Sequence, residues 1–172
     1  MHPHLARCQA IITDATRDVG ASASTRLDPS KWSVAEIVEH VLRAYSGTTK
    51  GLERCLEQGP LASPLTLKQW VAQTSLIDLG YFPEGRPAPK SILPTGAVDL
   101  PALVASVPRE LARLDEIAMR VKAAHGDAKV LDHPLLGAFT VDQWLQFHER
   151  HTAHHAKQIR RQVSPPDGDL CR

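Results

Sequence analysis

Nine histidines in 172 residues are many for a chain of this length, and four of them (His148, His151, His154 and His155) fall within eight positions. Neutral imidazole is the commonest protein ligand for transition-metal ions, so metal binding is the first chemistry to consider. On a helix, side chains four apart have Cβ atoms about 5–6 Å from each other. His151 and His155 can therefore converge on a single ion. Zinc proteases use the same spacing, although their intervening glutamate is missing here. His148 lies one turn earlier on the same face, as a partner that orients a ligand or as a substitute ligand. His154 projects to the other side. Two ligands hold an ion poorly, so a third should come from another helix. His40 is the candidate, because it lies inside an apolar-periodic stretch, whereas His2, His4, His125 and His133 fall at or beyond helix ends.

The flank of the helix that carries His40 also carries Ala44, Gly47 and Gly51. Glycine inside a helix costs about 1 kcal/mol relative to alanine. Two on one side imply either a cleft left open beside the site or the close approach of a neighbouring element. Three inward-facing imidazoles also need partners for both ring nitrogens, and an apolar core offers few. No second catalytic group is evident. Glu36 is committed to a helix cap, Glu39 projects to the other side, and the catalytic residues stay unassigned. Tyr45, His148 and Gln158 are candidates for substrate contact or for orienting a ligand.

The elements that must position these residues read as helices. The first covers about 3–21, with Leu5, Cys8, Ile11, Ile12, Ala15 and Val19 on one stripe. The second begins after Ser33, where Ser33-Val34-Ala35-Glu36 forms a capping box, and it ends at Gly59-Pro60. A shorter helix runs from Thr66, capped with Gln69, to about Leu79. From Gly80 to Val98 the prolines and glycines oppose regular structure, so a lid, a binding loop or a disordered excursion is expected there. The third long helix spans about 99–124 behind Asp99, and Pro108 predicts a kink, or a restart after Ser106. The last begins at the Thr140–Gln143 capping box and runs to about Val163. Little in the sequence alternates as a strand would. The expected architecture is all-α, a bundle of four long helices forming a single domain over 1–163, with a flexible tail over 164–172.

Composition narrows the partners. The chain is 42% hydrophobic and 23% charged, long enough to bury roughly two-thirds of its unfolded surface without disulfides. Twenty basic residues against nineteen acidic ones give a net charge of +1, which argues against a nucleic-acid surface. Cys8, Cys55 and Cys171 are odd in number and lack CxxC spacing, which fits a reducing cytoplasm. No stretch approaches a signal peptide or a membrane span. Exposed apolar helix faces would make a homodimer unsurprising.

The stretch RHTAHHAKQI (150–159) resembles the C-terminal signature of the DinB-like superfamily, which includes the YfiT-type proteins: H-x-x-H-H, then glutamine or histidine and an aliphatic residue. WSVAEIVEHVLRA (32–44) is similar to the other signature, Trp-Ser followed eight residues on by a histidine. HPLLGAFTVDQWLQFHERH (133–151) looks like a DinB subgroup pattern, His-Pro-x-x-Gly leading into Thr-x-x-x-Trp and Phe-His. The resemblance runs from Trp32 to Gln158, and the middle of the chain contributes nothing to it. It implies a four-helix bundle with one long crossover connection and a divalent metal held by His40, His151 and His155, the same triad that spacing suggests. Zinc or nickel is expected first, with iron or manganese as further choices. The resemblance also implies a small-molecule enzyme: transfer of a low-molecular-weight thiol to an electrophile, or metal-assisted hydrolysis or isomerisation. The alternative is a non-catalytic, stress-associated protein that holds a metal or an apolar ligand.

Overall fold

The computed structural model of the chain describes residues 1–26, 28–78, 80, 88–97 and 99–163. The expected tail over 164–172, the end of the short helix at Leu79, and 81–87 and Val98 of the proline-rich segment lie outside the described residues. The chain is mainly helical with one small two-stranded sheet. The α-helices are α1 (Pro3–Thr16), α2 (Val34–Gln58), α3 (Leu67–Gln73), α4 (Leu100–His125) and α5 (Val141–Val163). Strands β1 (Leu131–His133) and β2 (Gly137–Phe139) form an antiparallel hairpin between α4 and α5. Among the described residues, no helix is long and apolar enough to cross a membrane.

Local chemistry sets the helix starts. Ser33 Oγ accepts from the Glu36 N–H while the Glu36 carboxylate accepts from the Ser33 N–H, closing the expected box at the head of α2. Thr66 and Gln69 do the same for α3, and Thr140 and Gln143 for α5. Each box satisfies two amides that no intrahelical carbonyl can reach. α1 ends at Thr16, short of the expected 21. Thr16 Oγ1 bonds back to the Ile12 carbonyl, and a 3-10 turn over Ala21–Ser24 follows. α4 runs unbroken through Pro108, so the expected restart does not occur. Leu103, Val107, Leu111 and Leu114 are buried on both sides of that residue, and their packing outweighs the one intrahelical bond that proline removes.

The four long helices share one core. α2 packs chiefly on α4 and α1 chiefly on α5, while contacts of α2 with α5 and of α1 with α4 close the interior. Leu5, Tyr45, Leu52, Leu111, Leu114 and Leu145 lie at its centre.

The sequence pattern did not predict the hairpin. Its strands have three residues each, too short for alternation to register. Gly137, at φ +76°, opens β2 directly after the turn, and a Cβ there would come within 2.7 Å of Leu65. His133 Nδ1 accepts from the Leu135 and Leu136 amides. A histidine set aside as lying beyond a helix end thus organises the turn that leads into α5. Trp144 Nε1 donates to the Leu131 carbonyl, tying the hairpin to the first turn of α5.

Candidate metal centre

His40 projects from the second turn of α2, and His151 and His155 from successive turns of α5. All three are buried, at 2%, 8% and 7% exposure. One nitrogen from each ring lies within 4.8 Å of those of the other two, a grouping that could hold a metal ion. His151 Nε2 lies 3.3 Å from His40 Nε2 and 3.0 Å from His155 Nε2. With metal–imidazole bonds of about 2.0–2.1 Å, ligand nitrogens are about 3.3 Å apart in a tetrahedral set and about 2.9–3.0 Å apart at right angles. The observed spacings fall in that interval.

The partners of the rings decide which nitrogens are bare. His40 Nδ1 lies 2.9 Å from the Ile92 carbonyl oxygen. A carbonyl can only accept, so Nδ1 carries the proton and Nε2 presents a lone pair. His155 Nδ1 lies 2.8 Å from Gln158 Oε1, which fixes the same tautomer. His151 Nε2 therefore faces two lone pairs, and one proton on it could serve only one of them. Supplying the positive charge by protonating the rings is disfavoured. Burial, reinforced by the neighbouring histidines, holds His151 well below the ordinary imidazole range. Burial likewise brings His155 down to about 3, and lowers His40 despite the opposing bond to Ile92. A set of buried, neutral, converging imidazoles fits a soft-to-borderline divalent cation.

His148 is not part of this group. It is fully buried one turn earlier, with Nε2 3.0 Å from Thr48 Oγ1 and its ring against Tyr45, Trp144 and Phe147. Burial lowers its pKa to about 3. Tyr45 is buried deep in the core, with its hydroxyl 2.5 Å from Thr152 Oγ1. Gln158 bonds to His155 and, through Nε2, to His154 Nε2 at 3.0 Å. His154, directed away by helical stepping, thus meets the outer edge of the site through that glutamine.

The two glycines on the His40 flank have different explanations. A Cβ at Gly51 would come 2.5 Å from Leu131 Cδ2, so that glycine admits the hairpin, whereas at Gly47 nothing lies within 4 Å. Close packing and open space each account for one of them.

Three further groups that are not among the candidate site residues adjoin the centre. The Trp32 ring sits 4.9 Å from that of His40, and the Phe147 ring stacks on His151 at 5.3 Å. The Ile92 carbonyl comes from the proline-rich segment, whose 3-10 turn over Lys90–Ile92 lies against α2. Trp32, one residue before the Ser33 cap, had a legible place in the sequence. A backbone carbonyl in a loop has no side-chain signature, so Ile92 did not. Glu36 serves the cap and pairs with Arg26. Glu39 is buried and accepts from the Thr95 and Gly96 amides.

Residues 13–162 match the model of a family described as "Protein of unknown function (DUF1569)". The matched span contains all three histidines of the centre. No curated protein and no solved structure matches the chain.

Proposed function

The chain belongs to the DUF1569 family, and on that footing we propose that it is a divalent-metal protein whose ligands are His40, His151 and His155. The observation that carries this reading is the convergence of buried Nε2 atoms at 3.0 and 3.3 Å, two of them held bare by hydrogen bonds at Nδ1. The likeness of segments 32–44 and 150–159 to DinB and YfiT-type sequences supports it, and so do four long helices around one core. We read the architecture as a four-helix bundle of that kind, with the long α2–α4 connection as its crossover.

Three imidazoles leave coordination positions for other ligands, as in catalytic sites. Zinc or nickel is the ion we favour, and when bound it would lower the pKa of a water or thiol ligand and act as a Lewis acid. The reading is therefore a metal-dependent enzyme acting on a small molecule, foremost a thiol S-transferase, with hydrolysis or isomerisation as the other reaction classes. The residues of the chain have defined tasks in it. Ile92 and Gln158 hold two rings in the Nε2-presenting tautomer, and Phe147 and Trp32 wall two of the rings with aromatic surface.

A non-catalytic metal- or ligand-binding protein is the second reading, and one observation favours it. Glu36 and Glu39, the carboxylates flanking His40, are both engaged elsewhere, which leaves no carboxylate there as a general base.

Untagged protein should carry about one Zn or Ni per chain by elemental analysis, and His151→Ala should carry almost none. Equal metal content in the two would refute the site. Turnover of a low-molecular-weight thiol with an electrophile by the metal-loaded wild type alone would select the enzyme over the binding protein.

A further inference from the structure

A proline-rich connection laid over a helix would ordinarily be held by little. Residues 91–96 are held by three side chains from about one turn of α2. Arg43 Nη2 donates to the Ser91 carbonyl at 3.3 Å and His40 Nδ1 to the Ile92 carbonyl at 2.9 Å. Glu39 Oε1 accepts from the Thr95 amide at 2.9 Å and the Thr95 hydroxyl at 2.7 Å, and Oε2 from the Gly96 amide at 2.9 Å. Two successive amides aimed at one carboxylate make a small anion-binding nest, and Gly96 supplies its positive φ of +70°. Bonds to an ionised acceptor are roughly twice as strong as neutral ones. Glu39 is only 5% exposed, so breaking them would leave its buried carboxylate with the ion pair to Arg43, 3.6 Å from Oε1, in place of three direct hydrogen bonds.

Between the residue that touches His40 and the residue that touches Glu39 there are only Leu93 and Pro94, and the proline ring fixes its own φ. The placement of the Ile92 carbonyl is thus tied to the grip of Glu39 on Thr95 and Gly96. The carbonyl in turn fixes the tautomer and tilt of His40.

Resting on the metal reading above, we propose that Glu39 is a positioning residue for the three-histidine centre, anchoring the 91–96 strap so that strap order and metal affinity are linked. Linkage is reciprocal. Whatever Glu39 adds to metal affinity by holding the strap, the metal returns as order in the strap.

The test compares the full-length wild type with Glu39→Gln, which keeps the side-chain shape but turns one acceptor into a donor facing an N–H. Thr95→Ala weakens the same grip from the loop side and leaves α2 untouched, should Glu39→Gln fail to fold. Zn²⁺ affinity is read by competition with a chromophoric chelator, strap order by amide exchange at 91–96, and ligand geometry by the visible absorption of the Co²⁺ form. Glu39→Gln is expected to bind Zn²⁺ about tenfold or more weakly, in line with other residues that orient a ligand. Thr95→Ala should show a smaller loss in the same direction. Zn²⁺ should slow exchange at 91–96 in the wild type and much less in Glu39→Gln. The Co²⁺ band should change in position or intensity, which a general loss of stability would not produce. If the Glu39→Gln strap exchanges freely while Zn²⁺ affinity and the Co²⁺ spectrum match the wild type, Glu39 is a loop anchor only and the proposal is overturned. A wild type that binds neither ion overturns the metal reading itself, and is recognised before any variant is compared.

Discussion

Replacing His151 by leucine should cost the metal-free protein little while abolishing its response to zinc. His151 Nε2 faces His40 Nε2 at 3.3 Å and His155 Nε2 at 3.0 Å. One proton on His151 Nε2 can bridge only one of these gaps, so one of the two ring lone pairs facing it is left without that donor. An unsatisfied buried polar group costs about 1–3 kcal/mol. Leucine can pack on the Phe147 ring that His151 now stacks upon, but it takes that proton away and leaves both ring lone pairs facing an apolar side chain. The metal-free variant is thus expected to lie about 1–3 kcal/mol below the metal-free wild type. Zinc at about 100–1,000 times its dissociation constant should add about 2.7–4.1 kcal/mol to the wild type. For a chain of this length that corresponds to a rise of roughly 5–15 °C in melting temperature. The assay is thermal melting with chelator and with graded zinc, backed by urea unfolding at 25 °C. Two results would refute the reasoning: zinc raising both proteins equally, or zinc raising neither. The second would mean that the histidines form a polar seam complete without an ion.

Three further expectations test other parts of the structure. Gly47→Ala should stabilise by about 0.5–1 kcal/mol in urea unfolding, since helix propensity favours it and nothing lies within 4 Å of the new methyl; Gly51→Ala, 2.5 Å from Leu131 Cδ2, should forfeit that gain, and equal effects would contradict the packing. With chelator present, stability should fall as the pH drops from about 6.5 towards 3. The His148 pKa is lowered from 6.5 to about 3, so the unfolded chain binds the proton first, and this one ring accounts for about 2 kcal/mol between pH 6.5 and 5. A flat profile, or the same profile in His148→Phe, would remove His148 as its source. Because the Trp32 ring lies 4.9 Å from that of His40, Ni²⁺ or Co²⁺ should quench indole emission in the wild type and clearly less in Trp32→Phe; equal quenching would place the ion elsewhere.

Much of this arrangement was legible because it depends on short-range rules. The Ser33, Thr66 and Thr140 caps each depend on a residue three positions on, and their helices begin where those pairs stand. His151 and His155 meet because they are one helical turn apart. What escaped was set at long range. The hairpin over 131–139 depends on Gly137 fitting against Leu65 and on Trp144 reaching Leu131, neither of which is a periodicity. Pro108 reads locally as a break, but the core around Leu103 and Leu111 overrides it. Ile92 is an aliphatic residue in a proline-rich stretch, and its role lies in its carbonyl. Helical stepping alone puts Glu39 on the far side of α2 and cannot foresee that a loop comes to meet it.

The contact between His40 and His151 joins residues 111 positions apart. During synthesis, the α2 ligand leaves the ribosome long before the α5 pair exists. A chain ending before α5 holds one imidazole of the three and has no means of retaining an ion. Metal loading would therefore report that the two distant segments have docked, and an ion bound there acts as a removable clasp between an early and a late part of the polypeptide. A cell that withheld the ion would leave that clasp open, and α2 and α5 would then hold together by packing and by hydrogen bonds such as those of Tyr45 with Thr152 and His148 with Thr48.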